Sequence, residues 1–280
     1  MTSMVRLAEL RRRQGRSQDA EALLERANMH PLAWPVRAAL ALDRGDLVTA
    51  LDLLDTLLRR ATPSARTERI TALELKTVAH AGLGQLDQAQ KTAAELEAIA
   101  EIIDTEPLRA SSLAASGKVA AATSEHEQAK RLFEDAAYLF ESSGSRYEAA
   151  RVRLDLARCL AKLGRLSAAV AETSVALAIF EAMGAAADGM RARELLAHFE
   201  PRAEASSHSN RHNPAGGGPL TRRQREILTL IAQGLSDHDI ATRLFLSEHT
   251  VHRHVANILT RLDVSSRTAA VARALRADLL

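Results

Sequence analysis

The apolar positions of residues 1–200 recur at helical spacing. One stripe follows the order i, i+3, i+4, i+7, i+8 and i+11, which places its members on one face of an α-helix. They are Ala129, Leu132, Phe133, Ala136, Ala137 and Phe140. The sequence has no proline between Pro107 and Pro201, and this favours long, uninterrupted helices. The pattern therefore predicts a series of amphipathic helices.

A short motif recurs in this region with a period near 40 residues. A small residue is followed by an apolar residue two places later and by alanine five places later. Copies begin at Gly45, Gly84 and Gly164, with a degenerate copy at Ser124 and a further candidate at Gly15. Glycine accepts the left-handed conformation that often ends a helix. The spacing predicts stacked helical hairpins, and the pattern resembles a tetratricopeptide-like solenoid.

The composition agrees with an all-α fold class. Of the 280 residues, 46% are hydrophobic but only 3% are aromatic, whereas β-sandwiches and barrels favour aromatic and β-branched residues. The N-terminal segment lacks the apolar core of a signal peptide. No run of about 18 uncharged apolar residues occurs either. We therefore expect a cytoplasmic protein that has no membrane partner.

A stretch rich in proline, glycine and serine divides the chain. Residues 201–219 hold three of the seven prolines and three consecutive glycines, which predicts a flexible linker. Residues 1–200 carry 26 basic and 28 acidic side chains, a net charge of −2. Residues 201–280 carry 11 basic and 7 acidic side chains, a net charge of +4. The formal total of +2 thus averages an acidic repeat region at 1–200 and a basic domain at 220–280.

Signals of catalysis are incomplete in this sequence. Ser116-Gly117-Lys118 resembles the end of a phosphate-binding loop, but Ser112 and Val119 replace the leading glycine and the magnesium-binding hydroxyl. His126-Glu127 lacks the second histidine of a zinc-protease motif. Cys159 is the single cysteine and lies in an apolar segment, which is typical of a buried structural thiol. We predict no enzymatic activity, no cofactor and no metal site.

The basic domain has the signals of four helices. The first is capped by Thr221 and closed by Gly234, and the second begins at Ser236 with Asp239 in an acidic capping box. A turn at Phe245-Leu246 leads into a third helix over 247–262, and a fourth begins near Ser265. Two helices joined by so short a turn predict a helix-turn-helix.

The third helix has two distinct faces. The apolar face, which should meet the core, carries Val251, Val255, Ile258, Leu259 and Leu262. The opposite face has no carboxylate and carries His249, His252, Arg253, Ala256, Asn257 and Thr260. An arginine on such a surface can pair with guanine in the major groove. Ser247 and Thr250 lie at the helix N-terminus, where hydroxyl and N–H groups suit phosphates. For this helix alone, an ordinary solvated face is the alternative.

The whole tail resembles the LuxR-type (GerE-like) DNA-binding domain of bacterial transcriptional regulators. Matching segments include Leu220-Thr221, Glu226-Ile227-Leu228, Gly234, Ile240-Ala241, Thr250-Val251 and Asn257-Ile258-Leu259. His252 departs from the lysine that is common at its position. The helical repeats ahead of this domain also resemble the C-terminal part of the large ATP-binding LuxR-family regulators, although the sequence shows no counterpart of their ATPase.

The resemblance implies roles for single residues of the third and fourth helices. It places His252 and Arg253 near base edges and phosphates, and Thr250, Asn257 and Arg261 at the DNA backbone. His254 stands either at a phosphate or in the packing. Residues implied in dimerisation on DNA are Arg267, Ala270, Val271 and Leu275. A two-fold dimer would bind an inverted-repeat operator.

The sequence therefore predicts a bacterial, non-enzymatic transcriptional regulator that joins the nucleoid when bound. Its expected partners are double-stranded operator DNA, a second copy of the chain on DNA, and a protein or small-molecule effector at the repeats. Dimerisation is the other role expected of the repeats. RNA polymerase is a further candidate. The alternative is a protein-interaction scaffold whose repeats bind a peptide, with the basic domain as a secondary tether.

Overall fold

The computed structural model describes residues 1–27, 30–60, 66–209, 220, 222–246, 248–262, 264 and 267–276. For 66–68, 200–209, 222, 249, 253, 256, 260, 268 and 276 it describes the backbone alone. Within these ranges every regular element is an α-helix, so the predicted all-α fold class is confirmed. The chain separates into two units, Met1–Glu204 and Ala205–Leu280. No helix of the described part is both long and apolar enough to cross a membrane.

Helical hairpins build the first unit. Its helices are α1 (Thr2–Arg13), α2 (Ser17–Arg26), α3 (Ala33–Asp43), α4 (Leu47–Arg60), α5 (Arg66–Gly82), α6 (Leu86–Ile103), α7 (Glu106–Ala122), α8 (His126–Ser142), α9 (Arg146–Lys162), α10 (Leu166–Ala182) and α11 (Ala186–Ser209). Each of the helices α1 to α9 contacts the next one along the chain, and α1, α3, α5, α7 and α9 also contact one another in sequence. The odd-numbered helices thus form one layer of a stacked-hairpin array.

The predicted repeat anchors lie in the turns inside the hairpins. Gly164 has a φ of 73°, and Ser124 has a φ of 66°, both in the left-handed region. Each turn is closed by a backbone hydrogen bond of 2.8 Å, from Arg165 N–H to the carbonyl of Leu160 and from Glu125 N–H to that of Ala120. The period of 40 residues is therefore one hairpin of two helices.

Glycines also occupy two turns that the motif did not identify. Gly144 lies between α8 and α9 and Gly184 between α10 and α11, with φ values of 76° and 67°. The motif missed them because Arg146 stands where it requires an apolar residue, and Gly189 where it requires alanine. These turns join one hairpin to the next.

The apolar stripe predicted for α8 lies in the core of the first unit. Phe133 is 1% exposed and packs with Ala136, Phe140 and residues of α7 and α9. Gly117 in α7 faces Phe133 so closely that a Cβ atom there would come within 2.7 Å of its Cε1. The Ser116-Gly117-Lys118 tripeptide therefore lies inside a helix and serves packing, rather than forming a phosphate-binding loop.

Cys159 is buried, as the apolar context predicts. Its Sγ donates a hydrogen bond of 3.2 Å to the backbone carbonyl of His126. Burial raises the pKa of the Cys159 thiol to about 11, so the thiolate needed for nucleophilic chemistry is scarce at neutral pH. The lysine that replaces the second histidine of the zinc motif, Lys130, donates a 2.8 Å hydrogen bond to buried Glu134.

A side chain of α1 contacts α9, and the same residue of α9 contacts α11. The guanidinium of Arg13 lies 3.8 Å from the ring centroid of Tyr147, a cation–π geometry. Tyr147 Oη in turn donates a 2.7 Å hydrogen bond to Oδ2 of Asp188 in α11. Burial, together with this carboxylate, raises the pKa of Tyr147 to about 12. Polar side chains thereby join helices that are far apart in the sequence.

The boundary of the predicted linker needs a correction. Helix α11 continues to Ser209, whereas the sequence predicted a linker from residue 201. The prediction ended the helix at Pro201, although the alanine, glutamate and serine residues that follow this proline are compatible with a helix. Residues 210–219 lie outside the described residues.

Beyond the end of α11, the described residues of the second unit form four helices. They are α12 (Arg222–Ala232), α13 (Asp237–Leu244), α14 (Glu248–Arg261) and α15 (Arg267–Arg276). Helix α12 contacts the other three, and α14 contacts both α13 and α15. The side chains at the centre of this unit include Ile227, Leu228, Ile240, Val251, Ile258 and Ala274. The predicted order of four helices agrees with this arrangement.

Candidate nucleic-acid interface

Ser236 caps α13 in the way the sequence predicts. Its Oγ accepts a hydrogen bond from the N–H of Asp239 at 3.2 Å, and Oδ2 of Asp239 accepts one from the N–H of Ser236 at 3.1 Å. These two bonds satisfy N–H groups at the start of the helix. Hydrogen bonds from Ser236 lower the pKa of Asp239. The start of α13 is therefore defined by local chemistry.

The turn between α13 and α14 is held from α12. Phe245 adopts a left-handed conformation with a φ of 52°, and Leu246 N–H donates to the carbonyl of Ala241 at 2.9 Å. Nη2 of Arg223 donates to the carbonyl of Leu244 at 2.9 Å, while its Nη1 bonds Glu226 at 2.7 Å. The hydrogen bond from Arg223 in α12 holds the turn in place, and the turn sets the orientation of α14 relative to α13.

Helix α14 has the two faces that its sequence predicts. Val251 and Ile258 are fully buried, and Val255 and Leu262 nearly so. On the other side, His252 is exposed. Asn257 is exposed as well. The helix is therefore anchored by its apolar face and presents polar side chains to the outside.

A carboxylate at the start of α13 lies beside the outer face of α14. Oδ1 of Asp237 accepts a 2.7 Å hydrogen bond from Nη1 of Arg267, and its Oδ2 lies 3.8 Å from Nδ1 of His252. Nη2 of Arg267 also donates to the carbonyl of Leu235 at 3.3 Å. Asp237 thus joins the first turn of α13 to both α14 and α15.

A second carboxylate pairs with a histidine across the two helices. Nδ1 of His238 in α13 lies 2.6 Å from Oε1 of Glu248, the first residue of α14. This hydrogen bond and the negative charge of Glu248 raise the pKa of His238. Both side chains are exposed, so the pair stands at the surface beside the N-terminus of α14.

The structure places two of the predicted contact residues in the interior. The side chain of Thr250 is only 4% exposed, and that of Ala270 is only 1% exposed. Ala270 belongs to the core of the second unit together with Ala274, one turn later, because both residues lie on the inner face of α15. Neither side chain offers surface for the predicted contact with DNA or with a second copy.

The remaining predicted residues occupy different environments. His254, Arg261 and Val271 are half-buried, and Leu275 is 65% exposed. Arg267, predicted for dimerisation, is bonded to Asp237 within the same domain. Ser247 and the side chain of Arg253 lie outside the described residues. His252 and Asn257 are the predicted DNA contacts whose described side chains are openly exposed.

Sequence reasoning missed Asp237, His238 and Glu248 as parts of this surface. Helical spacing relates residues within one helix, whereas these side chains act between helices. A signal was nevertheless present, because Asp237 and Glu248 each stand in the first turn of a predicted helix, where carboxylates are common. Two acidic groups therefore flank the surface that was predicted to be free of carboxylates.

Two known structures are similar to the chain with TM-scores below 0.5. A thermophilic TPR protein from Thermus thermophilus matches with a TM-score of 0.47 and 21% identity, covering 66% of this chain and 97% of that one. BtubC from P. vanneervenii matches with a TM-score of 0.43 and 18% identity, covering 79% and 95%.

A family match lies within the second unit. Residues 218–274 match the family described as bacterial regulatory proteins, luxR family. The chain is 44% identical over 72 residues to the uncharacterized transcriptional regulatory protein YhcZ of Bacillus subtilis, covering 25% of this chain and 34% of that protein. It is 48% identical over 61 residues to the transcriptional regulatory protein LiaR of the same organism, covering 22% and 29%. The chain thus spans about a third of the length of these curated relatives. Residues 218–274 form a helix-turn-helix domain of the luxR family.

Proposed function

We propose that this protein is a bacterial transcriptional regulator. In this proposal residues 220–280 bind operator DNA while the helical repeats receive a signal, and no reaction is catalysed. It acts in the cytoplasm and is associated with the nucleoid when bound. The observation that carries the proposal is α14 itself, an amphipathic helix whose anchored apolar face leaves His252 and Asn257 exposed within a luxR-family domain.

The dimensions of α14 suit the major groove of DNA. Its 14 residues make a helix about 21 Å long, and the groove, about 12 Å wide, admits an α-helix. The net charge of +4 over residues 201–280 adds attraction to phosphates that does not depend on the base sequence. A helix held by its turn and its core can therefore be presented to base edges.

The proposed contacts divide into base readers and phosphate contacts. We assign Arg253 and His252 to the bases, because an arginine can pair with guanine O6 and N7 through two hydrogen bonds. Ser247, Asn257 and Arg261 hold the DNA backbone, which fixes the register of the helix without reading the sequence. Asp237 limits the freedom of His252, whose Nδ1 lies 3.8 Å from its carboxylate.

We further propose that two copies pair through α15 on an inverted-repeat operator. Leu275 is a large apolar residue that is exposed on this helix, and half-buried Val271 lies one turn before it. A contact through them would bring two α14 helices onto one face of the DNA. RNA polymerase is a proposed partner of the bound dimer.

The test is a binding measurement on an operator found by genome-wide immunoprecipitation of the bound DNA. Arg253→Ala should weaken binding to that operator by about 1–3 kcal/mol and relax the sequence preference. Arg261→Ala should weaken binding to all sequences alike and lower the salt slope by about one. The matched control is Arg146→Ala, which removes an exposed arginine from α9 and should leave the affinity unchanged. Equal affinity of the native chain for operator and unrelated DNA would contradict the proposal.

A further inference from the structure

A cavity of about 90 Å³ lies in the layer of odd-numbered helices, between α5, α7 and α9. Its apolar wall includes Leu75 from α5, Phe140 from α8 and Val152 from α9. The same cavity is lined by side chains of both charges, Glu74 and Glu148 on one hand and Lys118 and Arg151 on the other. A small pocket with apolar walls and charges of both signs is suited to a ligand with the same combination.

The two acidic groups are held in different ways. Burial raises the pKa of Glu74, and so does the charge of Glu148, whereas the hydrogen bond to Ser111 and the charges of Arg151 and Lys118 lower it. One carboxylate oxygen of Glu148 lies 3.7 Å from Nη2 of Arg13 in α1. A cation bound between Glu74 and Glu148 would offset the cost of burying these charged carboxylates and would reduce their mutual repulsion.

The two basic groups differ in their partners and their exposure. Nζ of Lys118 is bonded to Oδ2 of Asp155 at 2.5 Å and so points to a carboxylate of the protein. Arg151 is exposed on α9, and its guanidinium can present two parallel N–H groups to one carboxylate. We therefore assign the anionic end of a ligand to Arg151.

We propose that this cavity binds a free α-amino acid with an aliphatic side chain. The ammonium group lies between Glu74 and Glu148, the carboxylate meets Arg151, and the side chain packs against Leu75 and Phe140. The assignment deepens the proposed function, since it names the class of signal that the repeats receive. It can nevertheless be tested without DNA.

The volume of the cavity agrees with this ligand class. The volume of about 90 Å³ is several times the roughly 10–15 Å³ that a single water needs, so the cavity has room for a small organic molecule. Valine and leucine are molecules of that kind.

The test compares leucine with two analogues that each lack one charge. Titration calorimetry on the full chain should detect binding of L-leucine. At equal concentration, 4-methylpentanoate, which lacks the ammonium group, and 3-methylbutylamine, which lacks the carboxylate, should bind at least about tenfold more weakly, a difference of about 1.4 kcal/mol. Equal binding of either analogue, or no binding of leucine, valine or isoleucine, would overturn the proposal.

Variants of the charged residues test their assigned roles. Glu74→Gln and Arg151→Met should each lower the leucine affinity about tenfold or more, while Arg146→Met, on the same helix as Arg151, should not. If Glu74→Gln fails to fold, Arg151→Met still decides, because its side chain is exposed. An unchanged affinity in Arg151→Met would overturn the assignment. Leucine binding combined with non-selective DNA binding would keep this inference and reject the regulator proposal.

Discussion

Arg191 in α11 donates a 2.7 Å hydrogen bond from Nη2 to Oδ1 of Asp43, 148 positions earlier in the chain. Asp43 is the last residue of α3, and its other oxygen accepts a 2.6 Å hydrogen bond from Nη1 of Arg12 in α1. One carboxylate therefore links α1, α3 and α11. In a repeat array each unit otherwise contacts only its neighbours, so this link adds cohesion that stacking alone does not provide.

Asp43→Asn should destabilise the repeat unit. The side chain of Asp43 is 21% exposed and that of Arg12 only 10% exposed, so both charges lose much of their hydration in the folded state. Removing the carboxylate leaves Arg12 bonded to Glu9 alone and Arg191 to Asp188 alone among the bonds that the structure describes. We expect a loss of about 1–3 kcal/mol in the free energy of unfolding, measured by urea denaturation.

Two other variants should have smaller effects and serve as references. Arg191→Met should cost less, about 0.5–1 kcal/mol, because this side chain is 38% exposed and more strongly screened by solvent. Asp52→Asn, at an exposed position in α4, should leave stability within about 0.5 kcal/mol of the native value. If Asp43→Asn destabilised no more than Asp52→Asn, the carboxylate would have no linking role.

Gly117→Ala and Gly189→Ala should change stability in opposite directions. At position 117 the new Cβ would lie 2.7 Å from Cε1 of Phe133, whose ring is buried in a close-packed core. Overpacking costs about 1–3 kcal/mol and should exceed the helix-propensity gain of about 1 kcal/mol. At position 189 the nearest atoms lie at 3.9 Å, so alanine should stabilise by about 0.4–1 kcal/mol. The melting temperatures of the two variants should therefore shift in opposite directions from that of the native chain. A higher melting temperature for Gly117→Ala would contradict the tight packing.

Ser124→Gly should stabilise the protein although it removes a side chain. Ser124 has a φ of 66°, a conformation that costs a residue with a Cβ roughly 1–2 kcal/mol, so we expect a gain of about 0.5–1 kcal/mol. Gly164→Ala is the converse change at the equivalent turn, where φ is 73° and no atom lies within 4 Å of the new Cβ. It should therefore destabilise by backbone strain alone. Urea denaturation of the two variants should give opposite signs, and equal signs would exclude strain as the cause.

The parts of this molecule that sequence reasoning found are those determined by neighbouring residues. The capping box of Ser236 and Asp239 spans four residues, and the apolar stripe ending at Phe140 spans one helix, so spacing alone identifies both. The pairing of Asp43 with Arg191 depends on how the hairpins stack and has no local signal. Thr250 shows the same limit at the DNA-binding surface, because its burial depends on the helices packed around α14 rather than on its position at the helix start.

The pair of His238 and Glu248 should make the second unit more stable at mildly acidic pH. Glu248 raises the pKa of His238 above the ordinary value of 6.5, so the folded state holds the proton more tightly than the unfolded chain does. The resulting stabilisation is fully present below the unfolded pKa and is lost as pH rises through the folded pKa. His238→Gln should therefore differ from the native chain at about pH 5.5 and converge with it near about pH 9. Amide hydrogen exchange in α13 and α14, compared at equal pH, measures this difference. Glu248→Gln should abolish it, and a difference that grew with rising pH would contradict the pairing.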